Sequence, residues 1–142
     1  MAKLNYTEDK PQKLILASGP VIVENNKVLL DQHGDTEFWK FCGGRTENFN
    51  SDLITIAKNR AKEEMGIDIE VINPEPFLMY VKKETPEGNI DVILIHYLSK
   101  RIGKISPADF VKKWDWLPLE NLNNENLAPN IIPTLKHFNF LA

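Results

Sequence analysis

Two short segments of the chain decide its fold: WKFCGGRTE, from Trp39 to Glu47, and RAKEEMGI, from Arg60 to Ile67. The first contains two adjacent glycines, which are typical of a tight loop, and it ends on an acidic residue. The second has a glycine after a run of helix-forming residues, which is where a helix commonly ends. Together they predict a glycine loop that leads into a helix with two adjacent glutamates in its last turn.

This helix is predicted to begin after Ser51 or Asp52, either of which can cap its N-terminus, and to run to about Met65. Its apolar residues recur at helical spacing and form one stripe, made of Leu53, Ile54, Ala57, Ala61 and Met65. A stripe of this kind packs one side of a helix against a core.

Three charged residues on the helix are neighbours, because Arg60, Glu63 and Glu64 lie three and four positions apart. Glu64 falls almost within the apolar stripe, so its carboxylate is expected to be partly desolvated and to need a cation or hydrogen-bond donors. Two adjacent carboxylates also repel each other, and oxygen ligands of this kind suit Mg²⁺ or Mn²⁺. The alternatives are a solvated helix end and an internal ion pair, in which Arg60 pairs with Glu64 and takes the place of the metal.

The rest of the chain predicts several strands and a second helix. Strands are expected in five apolar or alternating segments: Leu14–Val23, Lys27–Leu30, Asp68–Ile72, Phe77–Lys82 and Ile90–Ser99. A short strand at Trp114–Leu117 and a helix at Asn130–Phe138 follow, and Asp31–Glu37 is predicted to be a polar loop. Mixed strands with two helices indicate an α+β fold or a sheet between helices.

The chain has 142 residues, which suits a single domain over residues 1–142 with a loose segment at 1–12. Its net charge of -3, from 17 basic and 20 acidic residues, argues against nucleic-acid binding, which usually requires a basic excess. No apolar run reaches the ~18 residues of a membrane span. Cys42 is the only cysteine, so no intrachain disulfide can form, and we expect a packed thiol in a cytoplasmic protein.

The two opening segments resemble the sequence motif of the Nudix hydrolase family. Gly43 and Gly44 match its paired glycines, and Glu47 matches a glutamate often found three positions later. Residues 63–67 match the end of the motif, and the likeness as a whole covers about residues 14–138. The resemblance implies the family's fold, an α/β/α sandwich of the α+β class with a mixed β-sheet.

The chain departs from the family motif at three places. The loop after the glycines is one residue longer, and Asn50 or Ser51 stands where the family has its first glutamate. Asn59 and Arg60 stand where the family has Arg-Glu. In active members the first glutamate and the arginine form an ion pair, and the second glutamate belongs to the metal and base cluster. These departures imply a weakly bound metal.

The resemblance implies a hydrolase of a nucleoside diphosphate linked to another group, dependent on Mg²⁺ or Mn²⁺ and weak in activity. The metal would be held by the backbone carbonyl of Gly43 and by Glu63 and Glu64. The candidate catalytic residues are Glu47, Glu63 and Glu64. The general base would be Glu47, a residue of the 84–91 loop, or absent. The candidate substrate-binding residues are Trp39, Arg45 and Arg60.

The competing prediction is a catalytically inactive Nudix-fold module that binds a nucleotide or a protein. Relatives of this family are often dimers, so a homodimer is also expected. The expected partner is a nucleotide-type small molecule, and neither a membrane nor a nucleic acid is expected.

Overall fold

Eight strands and three helices make up the described part of the chain, residues 13–34, 37–46 and 51–142, in a computed structural model. The strands are β1 (Lys13–Val21), β2 (Val23–Glu24), β3 (Lys27–His33), β4 (Gly44–Thr46), β5 (Asp68–Val71), β6 (Phe77–Thr85), β7 (Gly88–Ile102) and β8 (Val111–Pro118). The helices are α1 (Leu53–Met65), a 3₁₀ helix (Leu119–Asn124) and α2 (Ile131–His137). None of the described helices is long and apolar enough to cross a membrane.

The strands form a five-stranded mixed sheet and a three-stranded antiparallel sheet. In the larger sheet the order is β4-β1-β7-β5, and β6 also pairs with β7. Strands β1 and β7 are parallel, and the other pairs are antiparallel. The smaller sheet has the order β2-β3-β8. Strand β2 begins only two residues after β1 ends, so the chain passes directly from one sheet into the other.

Two apolar clusters lie on opposite faces of this framework. Ile22 packs with the stripe of α1, which supplies Ala57 and Met65 to the first cluster. The preceding residue, Val21, packs with α2, which supplies Ile131 to the second cluster. Since neighbouring residues of a strand point to opposite faces, the strands lie between the two helices. This arrangement confirms the predicted layering of a mixed sheet between helices.

The observed bounds of α1 confirm the prediction from the sequence. The Asp52 side chain accepts a hydrogen bond from the backbone N–H of Thr55 at 2.8 Å, which satisfies one of the free donors at the helix start. Gly66 ends the helix in the left-handed conformation, with φ of 69°. Both capping signals were therefore correct indicators of the helix ends.

The prediction of a polar loop from Asp31 was wrong, because β3 continues through His33 instead of ending at Leu30. Pairing with β8 over its whole length keeps this polar end of the strand extended. Strand β4 and the 3₁₀ helix were not predicted, and β7 is longer than the predicted Ile90–Ser99. The segment predicted to be loose, 1–12, lies outside the described residues.

Candidate active site

Glu64 lies at the end of α1 with its side chain fully buried against the glycine loop. The backbone N–H of Gly43 donates a hydrogen bond to Glu64 Oε2 at 3.2 Å. Gly43 has φ of 142°, and a Cβ at this position would stand 2.6 Å from the carbonyl oxygen of Ser18 in β1. Glycine is therefore required where the loop passes between β1 and the end of α1. The amide of Gly43 faces the glutamate; the ligand role predicted for its carbonyl stays a prediction.

Two residues of β3 approach Glu64 from the smaller sheet. Asp31 is 1% exposed, and His33 is on the same side of the strand two residues later. His33 Nδ1 lies 2.6 Å from Asp31 Oδ1 and 3.7 Å from Glu64 Oε2. The β3–β8 register shifts between Gln32 and His33, an irregularity that re-aims side chains and is common next to active sites.

On the edge of β3 that faces away from β8, the backbone of Asp31 pairs with that of Lys40. The N–H of Asp31 donates to the Lys40 carbonyl at 2.9 Å, and the N–H of Lys40 donates to the Asp31 carbonyl at 2.8 Å. Lys40 Nζ also reaches the carbonyl oxygen of His33 at 3.5 Å. Burial lowers the pKa of this lysine, although the nearby Asp31 carboxylate opposes the shift.

Burial dominates the electrostatics of the site. Desolvation, reinforced by the neighbouring Asp31 carboxylate, raises the pKa of Glu64 to about 10. Desolvation, reinforced by Glu64, also raises the pKa of the Cys42 thiol well above its ordinary value. Burial therefore favours the protonated form of the Glu64 carboxyl group when no cation is bound, and Cys42 is a buried, packed thiol, as predicted.

The donor set suits a divalent cation. Asp31, His33 and Glu64 each offer a ligand atom, and these atoms lie within 4.8 Å of one another. Asp31 Oδ2 and Glu64 Oε1 are buried, and neither has a hydrogen-bond partner among the residues that the structure describes. Buried carboxylate oxygens are normally satisfied, and a bound cation would satisfy both of these oxygens. The residues present thus fit a bound metal ion.

Arg60 does not pair with Glu64 as predicted. Its Nη1 lies 3.1 Å from Oε2 of Glu63, which is 60% exposed, while Glu64 points inward. Arg60 pairs with Glu63, three residues later, because Glu64 is turned into the core, away from the flank of the helix that carries the arginine. A Cβ on Gly44 would collide with the Arg60 guanidinium, so the second glycine of the loop makes room for this cation.

A cleft with a volume of about 410 Å³ runs beside α1. Two of the predicted substrate-binding residues, Arg45 on β4 and Arg60 on α1, line it together with Glu63. The remaining lining residues are polar apart from Ile56: Thr46, Ser51 and Asn59. Two guanidinium groups in one cleft favour an anionic ligand.

The other predicted site residues are divided between the described and undescribed parts of the chain. Trp39 is half-buried and packs against the second apolar cluster. Its backbone N–H donates to Asn126 at 2.8 Å, and its carbonyl accepts from Ala128 at 2.9 Å. Glu47 and Asn50 lie outside the described residues, so their predicted roles stay predictions.

Sequence reasoning missed Asp31 altogether and placed His33 in a polar loop, where it could touch a substrate but was not expected to bind a metal. One signal was available: the two residues alternate directly after the apolar run of 28–30, as if the strand continued. The polar character of these residues nevertheless favoured the prediction of a loop, because strands seldom bury an aspartate at their ends.

The sequence matches a family model described as the NUDIX domain over residues 15–138. The chain belongs to the Nudix family. The matched region runs from β1 to the end of α2, so the resemblance and the α+β fold predicted from the sequence are confirmed. Nudix hydrolases act on nucleotide-type substrates and generally use a divalent metal, which agrees with the donor set formed by Asp31, His33 and Glu64.

Solved Nudix structures share this fold. A MutT Nudix hydrolase from Burkholderia pseudomallei has a TM-score of 0.70 at 19% identity, covering 88% of this chain and 98% of that chain. A Nudix hydrolase from Nitrosomonas europaea has a TM-score of 0.70 at 11% identity, covering 89% and 88%. An ADP-ribose pyrophosphatase from Streptococcus suis has a TM-score of 0.62 at 20% identity, covering 86% and 87%. A search of curated proteins gave no significant match.

Proposed function

We propose that this Nudix protein is a hydrolase that cleaves a nucleoside diphosphate linked to another group, with Mg²⁺ or Mn²⁺ as its cofactor. The observation that carries the proposal is the fully buried carboxyl group of Glu64, set against the glycine loop at the end of α1. A carboxylate in such a place is stabilised by a cation. When bound, the divalent ion neutralises phosphate oxygens and lowers the pKa of the attacking water.

Arg45 and Arg60 are proposed to bind the phosphates of the substrate. Both line the cleft beside α1, and the planar guanidinium group matches phosphate oxygens in a bidentate manner. Trp39 is the aromatic candidate for contact with the rest of the substrate, because the residue is only half-buried.

Glu63 and Glu47 are proposed to assist the reaction. Glu63 is paired with Arg60, so it becomes available when Arg60 pairs with a substrate phosphate instead. Glu47 is proposed to serve as the general base or to orient water, since the usual acidic position is occupied by Arg60. The need to exchange this ion pair before turnover supports a low activity and a weakly held metal.

The setting proposed for this activity is the cytoplasm, with one domain per chain and a homodimer as the assembly. The partner is a nucleotide-type small molecule rather than a membrane or a nucleic acid. The net charge of -3 supports this choice, since it gives no general attraction for a polyanion.

The proposal is tested by incubating the protein with nucleoside diphosphate sugars, including ADP-ribose, and with nucleoside triphosphates, each with Mg²⁺, Mn²⁺ or a chelator. Chromatography should detect a nucleoside monophosphate from at least one substrate, only when metal is present. Glu64→Gln should lower the rate by about 100-fold. Glu70→Gln, an exposed glutamate on β5, is the matched control and should retain the wild-type rate.

The second candidate function is an inactive nucleotide-binding or protein-binding module. The Arg60–Glu63 ion pair favours it, because an internal cation lies where the family motif has an acidic residue. This alternative predicts nucleotide binding by calorimetry with no product from any substrate in the panel. Product formation in the presence of metal would exclude it.

A further inference from the structure

We infer that the cation of this site is held by Asp31 and His33 of β3 together with Glu64 of α1, and that this donor set prefers Mn²⁺ to Mg²⁺. The inference rests on the proposed function for the role of the ion. The location of the ion rests on side-chain geometry alone. It differs from the arrangement predicted from the sequence, in which two adjacent glutamates of α1 carry the metal.

The donor atoms of Asp31, His33 and Glu64 lie close enough together to surround one ion, all within 4.8 Å of one another. Two ligands of a divalent ion with bonds of about 2.1 Å lie about 3 to 4 Å apart. His33 Nδ1 and Glu64 Oε2, at 3.7 Å, already have this spacing. Asp31 Oδ1 and His33 Nδ1, at 2.6 Å, are hydrogen-bonded, so a cation would replace the proton between them and move the two side chains slightly apart.

Unsatisfied buried oxygens supply the second, independent observation. Asp31 and Glu64 are 1% and 0% exposed, so water does not reach their carboxyl groups freely. One oxygen of each, Oδ2 and Oε1, has no hydrogen-bond partner within the described ranges. A cation between the two carboxyl groups would compensate both oxygens at once.

The exposed flank of α1 is the poorer metal site. Glu63 is 60% exposed and already neutralised by Arg60 at 3.1 Å, and its carboxylate is not part of the buried donor group. A metal cation bound to Glu63 would have to compete with the guanidinium group of Arg60. Only Glu64 among the helix carboxylates faces the two residues of β3.

The choice of metal follows from the imidazole of His33. Mg²⁺ demands nearly ideal octahedral oxygen coordination and loses its water reluctantly, whereas Mn²⁺ accepts a nitrogen ligand more readily. Lys40, which bonds to the His33 carbonyl at 3.5 Å, places a positive charge beside the site and keeps its affinity modest.

The inference is tested by calorimetric titration of the full chain with MnCl₂ or MgCl₂ alone, without nucleotide. The wild type should bind one Mn²⁺ per chain, more tightly than Mg²⁺. Asp31→Asn and His33→Gln should each weaken Mn²⁺ binding by at least about tenfold. Glu63→Gln and the control Glu70→Gln should change the affinity by less than about twofold, because neither side chain is a ligand.

The inference is overturned if the wild type binds no Mn²⁺, or if Glu63→Gln weakens binding as much as His33→Gln does. Circular-dichroism melting checks that each variant is folded. If Asp31→Asn fails to fold, His33→Gln decides the question, since its side chain is 19% exposed at the end of β3. Mn²⁺ binding at these residues without hydrolysis would refute the proposed function alone. Hydrolysis with unaltered metal binding in His33→Gln would refute this inference alone.

Discussion

Arg60 and Glu63 form an ion pair across one turn of α1, with 3.1 Å between Nη1 and Oε2. This pair divides the acidic end of the helix into two parts with different chemistry. On the exposed flank, the charge of Glu63 is balanced by the arginine. On the buried side, Glu64 accepts a hydrogen bond from the amide of Gly43 and faces the two polar residues of β3.

Arg60→Glu should restore the acidic set of the family motif on the helix flank. The variant loses the ion pair and gains a repulsive charge, so in chelator its free energy of unfolding should fall by about 1 kcal/mol. Mn²⁺ should recover that loss, because binding to the folded state stabilises it. Urea denaturation with and without Mn²⁺ measures both effects.

Arg60→Gln is the control for this change, since it removes the positive charge without adding an acid. Its stability should respond to Mn²⁺ less than that of Arg60→Glu does. Equal metal responses of the two variants would mean that a third carboxylate on this flank adds nothing to cation binding.

Alanine substitutions at the two adjacent glutamates should have very different effects on stability. Glu64→Ala leaves a cavity and removes the hydrogen-bond partner of the Gly43 N–H, which should lower the free energy of unfolding by about 2 kcal/mol. Glu63→Ala removes an exposed ion pair, which is worth less than about 1 kcal/mol. Chemical denaturation in chelator compares them; equal values would mean that both carboxylates are solvated in solution.

The two glycines of the loop should also respond differently to alanine. Gly43→Ala brings a Cβ against the backbone of Ser18 at a φ of 142°, so it should lose about 3 kcal/mol of stability. At Gly44→Ala the atoms nearest the new Cβ belong to the end of the long Arg60 side chain rather than to backbone, so the loss should be less than about 1 kcal/mol. Thermal melting ranks the two variants, and a larger loss for Gly44→Ala would contradict the described packing.

Acid should destabilise the protein through His96. This histidine is buried on β7 with its ring against Phe41, and burial lowers its pKa from 6.5 to about 4. The unfolded chain therefore binds a proton that the folded chain does not, so stability falls as the pH decreases from about 6.5 to about 4. At about 1.4 kcal/mol per pKa unit, the full loss is about 3 kcal/mol.

His96→Gln tests this assignment, because glutamine does not titrate over that range. Denaturation midpoints between pH 7 and pH 4 should fall less steeply for the variant than for the wild type. Parallel curves would show that other groups account for the acid sensitivity.

Helix α1 and its caps could be predicted from the sequence because the signals are local. Asp52 and Gly66 act on their own helix, and the apolar stripe needs only its 3.6-residue period. The burial of Glu64 followed from the same period. The family motif then indicated the order of loop and helix, which the order of β4 and α1 along the chain confirms.

The buried donor set could not be predicted, because it depends on contacts between distant parts of the chain. Asp31 and Glu64 are separated by the glycine loop and most of α1, and the aspartate is held in the interior by the pairing of β3 with β8 and by the backbone of Lys40. The partner of Arg60 was missed for a related reason. Helical spacing allows pairing at three or four residues, and the choice depends on which glutamate the rest of the fold buries.

The most direct test of this account is pulsed electron paramagnetic resonance of Mn²⁺ bound to the nucleotide-free protein. The chain has two histidines other than His33: His96 is buried with its ring against Phe41, and His137 lies at the end of α2 with its ring against Phe77 and Phe138. We expect a nitrogen coupling from a directly bound imidazole in the wild type and its loss in His33→Gln, with the coupling kept in Glu63→Gln. A Mn²⁺ signal with only oxygen ligands in the folded wild type would contradict it.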